Sequence, residues 1–169
     1  MKGIQLRRLT SEDAPQLARL ANNKKIWDHV RDYLPHPYAE SDAHFFIELI
    51  VDEDPHQTFG ILNEDDELCG VIGLVIQSDV YRISAELGYW LGEPYWGQGI
   101  VTQAIGLITQ YGFEELRLEK IYAGVFDFNT ASMKVLEKNG YQKEGILSKA
   151  FIKNGRIGDE HRYAKLKTL

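Results

Sequence analysis

One cysteine, two methionines and five prolines in 169 residues leave this chain with little that staples or interrupts a fold. The lone thiol, Cys69, cannot close an internal disulfide. Its setting, Leu68-Cys-Gly-Val-Ile-Gly-Leu-Val-Ile76, is an apolar run that predicts a small buried thiol, because a nucleophilic thiolate needs a polar, electropositive neighbourhood. No stretch approaches the roughly 20 apolar residues that cross a bilayer, and the opening Met1-Lys-Gly-Ile-Gln-Leu lacks the apolar core of a secretion signal. A cytoplasmic protein with no membrane partner is expected. Positive charge is also short: 19 Lys and Arg stand against 25 Asp and Glu, and a net charge of -6 repels nucleic-acid phosphates while favouring cations such as amines. The five histidines, His29, His36, His44, His56 and His161, show neither H-E-x-x-H nor another close ligand spacing, so no metal site is expected.

What is present is the composition of an ordinary globular chain, 44% hydrophobic and 26% charged. The length suits a single domain over residues 1–169, since folds of this size bury roughly 70% of the unfolded surface. Ile4 to Leu9 alternates as a strand, and Thr10-Ser-Glu-Asp offers a cap to a helix with Leu17, Leu20 and Ala21 on one face. Asn22 to Glu40 reads as a short helix and an aromatic loop. A further helix from Ser41 carries Phe45, Phe46, Leu49 and Ile50 at helical spacing. Gln57–Leu62 and Leu68–Ile76 form a hairpin about Asn63–Glu67, and Arg82 to Leu91 alternates as the next strand. A 3.6-residue period over Gln98 to Leu116 predicts a helix against a sheet. Lys120 to Phe126 is a central strand, Asn129 caps a helix stopped at Asn139-Gly140, and Tyr141–Ile146 and His161–Leu166 are two last strands. The fold class is α+β, built on one mixed, mostly antiparallel sheet.

The stretch Pro94-Tyr-Trp-Gly-Gln-Gly-Ile-Val-Thr-Gln-Ala-Ile105 sets Gly97 and Gly99 between a strand and that helix. Free amides and the positive end of a helix dipole suit an anion such as a pyrophosphate there, and glycine permits its close approach; the pair is otherwise a simple tight turn. Thr102 stands where a dinucleotide fingerprint has its third glycine, and no Walker pattern is present.

The surrounding motifs identify a family. Trp96-Gly-Gln-Gly-Ile-Val101 resembles the pyrophosphate loop Q/R-x-x-G-x-G/A of the GNAT N-acetyltransferases, with Trp96 in place of Gln or Arg and Val101 in place of Gly or Ala. Leu34-Pro-His-Pro-Tyr38, Ala85-Glu-Leu-Gly-Tyr-Trp-Leu91 and Asn129-Thr-Ala-Ser-Met-Lys-Val-Leu-Glu-Lys-Asn-Gly-Tyr141 resemble the branch that acetylates the N-terminal alanine or serine of ribosomal proteins. The likeness covers almost the whole chain.

This resemblance implies a sheet splayed between its fourth and fifth strands, with helices on both faces and acetyl-CoA as co-substrate. The cofactor arm would lie along Tyr89, Trp90 and Leu91 as a pseudo-strand, with Trp96 beside it. The pyrophosphate would lie on the amides of Gly97, Gln98, Gly99, Ile100, Val101 and Thr102. Asn129 would face the arm, and Lys134 or Lys138 would meet the adenosine phosphates or be solvated helix charges. An amine nucleophile must be neutral, whereas a free α-amino group has a pKa of about 8. Glu86 is the candidate proton acceptor, acting through water, or else an outward polar residue of an alternating strand. Ser132 is the candidate donor to the leaving sulfur, or a serine at a helix start, and an N–H near Leu91 would polarise the thioester oxygen. Trp27, Tyr33, His36 and Tyr38 would line the acceptor pocket or pack the loop. The function implied is acetyl transfer to a primary amine, a protein N-terminus (ribosomal or other) or a small amine, by direct attack in a ternary complex. The alternatives are a non-catalytic acyl-CoA sensor and an interaction domain. A monomer or homodimer is expected.

Overall fold

The structure, a computed structural model, describes residues 3–168. Seven strands make one sheet in the order β1-β2-β3-β4-β5-β7-β6. They are β1 (Gln5–Arg7), β2 (Thr58–Leu62), β3 (Leu68–Ile76), β4 (Ser84–Leu91), β5 (Lys120–Phe126), β6 (Gln142–Lys153) and β7 (Arg156–Leu166). The helices are α1 (Ala14–Ala21), α2 (Lys24–Trp27), α3 (Glu40–Ile50), α4 (Ile100–Glu114) and α5 (Thr130–Lys138). Contact density separates two compact units, residues 1–73 with 89–104, and residues 74–88 with 105–169.

In the first unit the chain enters α1 through a tight device. The Arg7 guanidinium forks onto Asp13 at 2.8 and 2.9 Å, and Asp13 Oδ2 accepts the Thr10 N–H at 2.7 Å. α1 then buries Ala14, Leu17, Ala18 and Ala21 in a cluster with Ala43, Ile47 and Ile50 of α3, Tyr38, and Leu68 and Val71 of β3. Of the apolar residues read at helical spacing on α3, Ile50 is buried and Phe46 packs against this cluster, whereas two turn outward. Phe45 and Leu49 are 63% and 64% exposed, and Ala43 takes the inward position that closes on the alanine-rich α1. α3 carries more apolar residues than one stripe holds, and the small side chain wins where two helices approach closely.

The second unit is built on β5, where Ile121, Ala123 and Val125 are buried and Lys120, Tyr122, Gly124 and Phe126 are half-buried on the opposite face. Ile105 and Ile108 of α4 are fully buried. Gly112 lets this helix sit close, since a Cβ there would fall 2.7 Å from Ile121 Cδ1 and 2.9 Å from Leu74 Cδ1. α5 is tied to β7 by Tyr163 Oη donating to Glu137 Oε1 at 3.1 Å and Lys165 Nζ donating to the Asn139 carbonyl at 2.7 Å.

Two corrections concern this unit. The last strands form one long hairpin, Gln142–Lys153 with Arg156–Leu166, turning on Asn154 (φ 52°) and Gly155 (φ 75°). Between Leu147 and Phe151 β6 advances four residues while β7 advances two, so the alternation that marks a strand is lost from the sequence there. Tyr141 lies ahead of β6, buried, with its hydroxyl 2.7 Å from Thr109 Oγ1.

β1, β2 and β3 pair antiparallel, as do β5, β7 and β6, whereas β4 and β5 are parallel. The parallel register covers only Ser84–Glu86 against Lys120–Tyr122, although β4 runs on to Leu91 and β5 to Phe126. The pairing between them therefore ends at Glu86 and Tyr122.

Candidate active site

The first unit contributes one continuous piece, Tyr89 to Thr102. Tyr89 and Trp90 are half-buried and Leu91 is buried at the end of β4. A short 3-10 turn, Glu93–Tyr95, follows and is pinned from outside: Glu93 accepts from Asn23 Nδ2 at 2.7 Å and pairs with Lys25. Those hydrogen bonds, Lys25 first, hold the Glu93 carboxyl below its usual range. The Trp96 indole N–H donates to the Leu91 carbonyl at 2.8 Å and closes the turn. Trp96 therefore acts as a clasp on the end of β4, with 44% of its surface exposed.

Gly97 and Gly99 follow with φ of 73° and 75°, the left-handed region, and a Cβ on either would meet nothing within 4 Å. The backbone is bare without being crowded, as a cradle for an approaching ligand requires. α4 makes its first internal bond from Gln103 N to the Gly99 carbonyl at 3.2 Å. The turn therefore leads straight into the first turn of α4, at the positive end of its dipole. Gln98 steadies the loop through its side-chain amide, which donates to the Pro94 carbonyl at 3.0 Å. The residues present fit a pyrophosphate: Gly97 and Gly99 leave open space at the start of α4, where the helix dipole gives a favourable field. The Gly92 N–H is committed to the Cys69 carbonyl at 2.7 Å, which excludes it from an oxyanion role.

The second unit holds the remaining predicted residues. Glu86 is half-buried on β4, on the rung of Tyr122, in the last register position before the strands part. Asn129 caps α5, its Oδ1 accepting the Ser132 N–H at 3.3 Å, so these two predicted residues are in direct contact. Lys134 and Lys138 are exposed, and Lys138 lies in the last turn of α5, where a cation complements the dipole.

The loop aromatics have different settings. Tyr38 belongs to the core, where burial and then Asp42 push its hydroxyl up to about 12, and Tyr33 is 95% exposed. Trp27 and His36 meet, with ring centroids 6.0 Å apart, and Lys24 Nζ lies 5.5 Å from the Trp27 ring. Cys69 is wholly buried, its thiol donating to the Glu67 carbonyl at 3.3 Å and pushed up to about 11, chiefly by burial, so it is no nucleophile. Among the described residues no group of three or more His, Cys, Asp or Glu is placed to hold a metal ion, and no helix is long and apolar enough to cross a membrane.

A second set of polar residues went unread in the sequence. Glu160 and Arg162 of β7 stand opposite Phe126 and Gly124 of β5. Their only signal, the alternation Gly158-x-Glu160-x-Arg162, lies mostly in the stretch between the two shorter strands that the sequence predicts.

Known proteins resemble the chain in sequence and in fold. The acetyltransferase (GNAT) domain family matches residues 4–142. The probable N-acetyltransferase YjcK of Bacillus subtilis is 39% identical over 115 residues, 66% of this chain and 62% of its own length. YdaF of the same organism, a ribosomal N-acetyltransferase by name, is 31% identical over 171 residues, 97% of this chain and 91% of its own. A solved spermidine N-acetyltransferase of Vibrio cholerae, in complex with CoA and spermine, superposes with a TM-score of 0.83 at 26% identity, over 98% of this chain and 96% of its own. With the glycine turn, the parted parallel strands and the family match in agreement, the chain belongs to the GNAT family of N-acetyltransferases, whose co-substrate is acetyl-CoA.

Proposed function

We propose that this chain, as one acetyltransferase domain over residues 1–169, moves the acetyl group of acetyl-CoA to a primary amine by direct attack in a ternary complex, in the cytoplasm. The observation that carries the reading is the left-handed turn at Gly97 and Gly99, where a Cβ would meet nothing within 4 Å, leading directly into α4. Acetyl-CoA, when bound, supplies an activated acyl group on sulfur. The amides of Gly97 to Thr102 hold its pyrophosphate, β4 from Tyr89 to Leu91 guides its arm with Trp96 alongside, and Asn129 and Lys134 meet it from α5. Glu86 takes the proton that an ammonium must lose before its nitrogen can form the new amide bond. Ser132 supplies the hydrogen bond to the sulfur that leaves. No covalent link to the protein is needed, because holding both reactants together provides the rate.

Incubation of the protein with acetyl-CoA and a panel of peptide N-termini and small amines should release CoA and yield the acetylated amine by mass spectrometry. Acetyl-CoA binding without turnover on any amine would favour a sensor over an enzyme.

A further inference from the structure

The stretch that leads into the glycine turn has little packing to hold it. Gly92 is buried, and a Cβ there would fall 2.7 Å from Leu20 Cδ2 and 3.1 Å from the Cys69 carbonyl, so the chain is fixed at that point. The next buried residue is Ile100 at the start of α4. Between them Glu93 and Tyr95 are half-buried, whereas Pro94, Trp96, Gly97, Gln98 and Gly99 are exposed. Burial of apolar surface therefore does little to fix the turn. Trp96 and Gln98 bond to carbonyls five and four residues back, at Leu91 and Pro94, and so set its local shape.

Glu93 reaches further. Its Oε2 accepts from Asn23 Nδ2 at 2.7 Å and its Oε1 accepts from Lys25 Nζ, across 70 and 68 residues of sequence. Each carboxylate oxygen takes one donor, which orients the group as well as holding it. The Asn23 end is rigid. Leu17 and Ala21 of α1, just ahead of it, are fully buried, and the Asn23 N–H donates to the Ala21 carbonyl at 2.8 Å. Asn23 Oδ1 accepts the Lys25 N–H at 2.9 Å as the cap of α2, and the neighbouring Asn22 Oδ1 accepts the Tyr38 N–H at 3.0 Å. With its oxygen committed to the cap, the Asn23 amide can present only its nitrogen to Glu93, and a flip would lose both bonds. The two donors carry unequal weight. Lys25 is 67% exposed, and a pair so open to water and salt contributes little, whereas the bond from Asn23 is partly buried and ends on a charge.

We propose that Glu93 is a positioning residue for acetyl-CoA: through Asn23 it fixes the approach to Gly97 and Gly99, so that the turn is formed before the cofactor arrives and less order has to be imposed on binding. This role rests on the reading of that turn as the pyrophosphate site.

The test combines calorimetry with CoA, steady-state kinetics with acetyl-CoA on the amine that the panel above turns over, and melting curves, on the wild type and three variants. Glu93→Gln sets an amide donor against either Asn23 or Lys25. Asn23→Asp keeps the cap of α2 but sets a carboxylate against Glu93. Each should weaken CoA binding and raise the KM for acetyl-CoA about tenfold, with kcat within about twofold of wild type. Asn23→Asp combined with Glu93→Gln exchanges donor and acceptor and leaves one oxygen for Lys25, so CoA affinity should return to within about twofold of wild type. Single variants that bind CoA like the wild type, or a double variant that recovers nothing, overturn the proposal. Weakened binding that merely follows a fallen melting temperature marks a structural residue and overturns it too. If the wild type binds CoA without turning over any amine, the same pattern in Kd still upholds Glu93. A wild type that binds no CoA sinks the pyrophosphate reading and the proposal with it, whereas tight wild-type binding that the variants leave alone sinks the proposal only.

Discussion

The glycines at 97 and 99 do different work from those at 112 and 124. Gly112 and Gly124 yield space to atoms already there, Ile121 and the Glu160 carboxylate, whereas Gly97 and Gly99 face open space and are needed for their backbone. Gly99→Ala should therefore leave packing intact, cost about 1 kcal/mol through the left-handed backbone, and raise the KM for acetyl-CoA about tenfold with little change in the KM for the amine. Steady-state kinetics with each substrate varied in turn separate the two. At Glu86 the expectation is different in kind: if the side chain handles a proton and not the cofactor, as proposed, Glu86→Gln should lower kcat by about a hundredfold while acetyl-CoA binds as before by calorimetry. Full activity in that variant would remove Glu86 from the chemistry.

At the scale of the elements, the entry into α1 responds to acid. Partial burial alone would raise the Asp13 carboxyl, but the Arg7 fork and the Thr10 amide outweigh it and leave it below its usual range. A carboxylate depressed in the folded state adds stability that is complete above its unfolded pKa of about 3.9 and is lost as the pH falls through the folded value. Asp13→Asn should thus cost about 1 kcal/mol near neutrality and almost nothing once both forms are protonated, as melting curves between neutral and strongly acidic pH would record. The elements were also the most legible feature of the sequence. β5 spans the expected Lys120–Phe126, and α5 starts and stops at the expected Asn129 and Asn139-Gly140, because an apolar run with β-branched residues and strong capping residues are local signals. The β6–β7 hairpin was half read, since its bulge is dictated by cross-strand register and not by any neighbour in sequence. The glycine turn, Glu86 and the Asn129–Ser132 pair could be named in advance from motifs. Glu93 could not, because its bonds to Asn23 and Lys25 join residues 70 and 68 positions apart.

Across the whole molecule, charge sets how an acceptor arrives. With a net charge of -6, encounter with a cationic amine is electrostatically assisted, and kcat/KM for such an acceptor should fall as ionic strength rises, while a neutral analogue shows a flatter response. Stopped-flow rates in increasing potassium chloride would show the contrast, and equal slopes would argue that the field plays no part. The lone thiol gives the molecule a further property. Cys69 is sealed in β3, and a reagent that needs the thiolate finds neither access nor ionisation while the sheet is intact. Every molecule that reacts with a thiol dye has therefore opened its sheet at β3 first, so the labelling rate in rising urea counts excursions from the native state one chain at a time. The protein carries its own single-site clock for unfolding, with no engineered probe required.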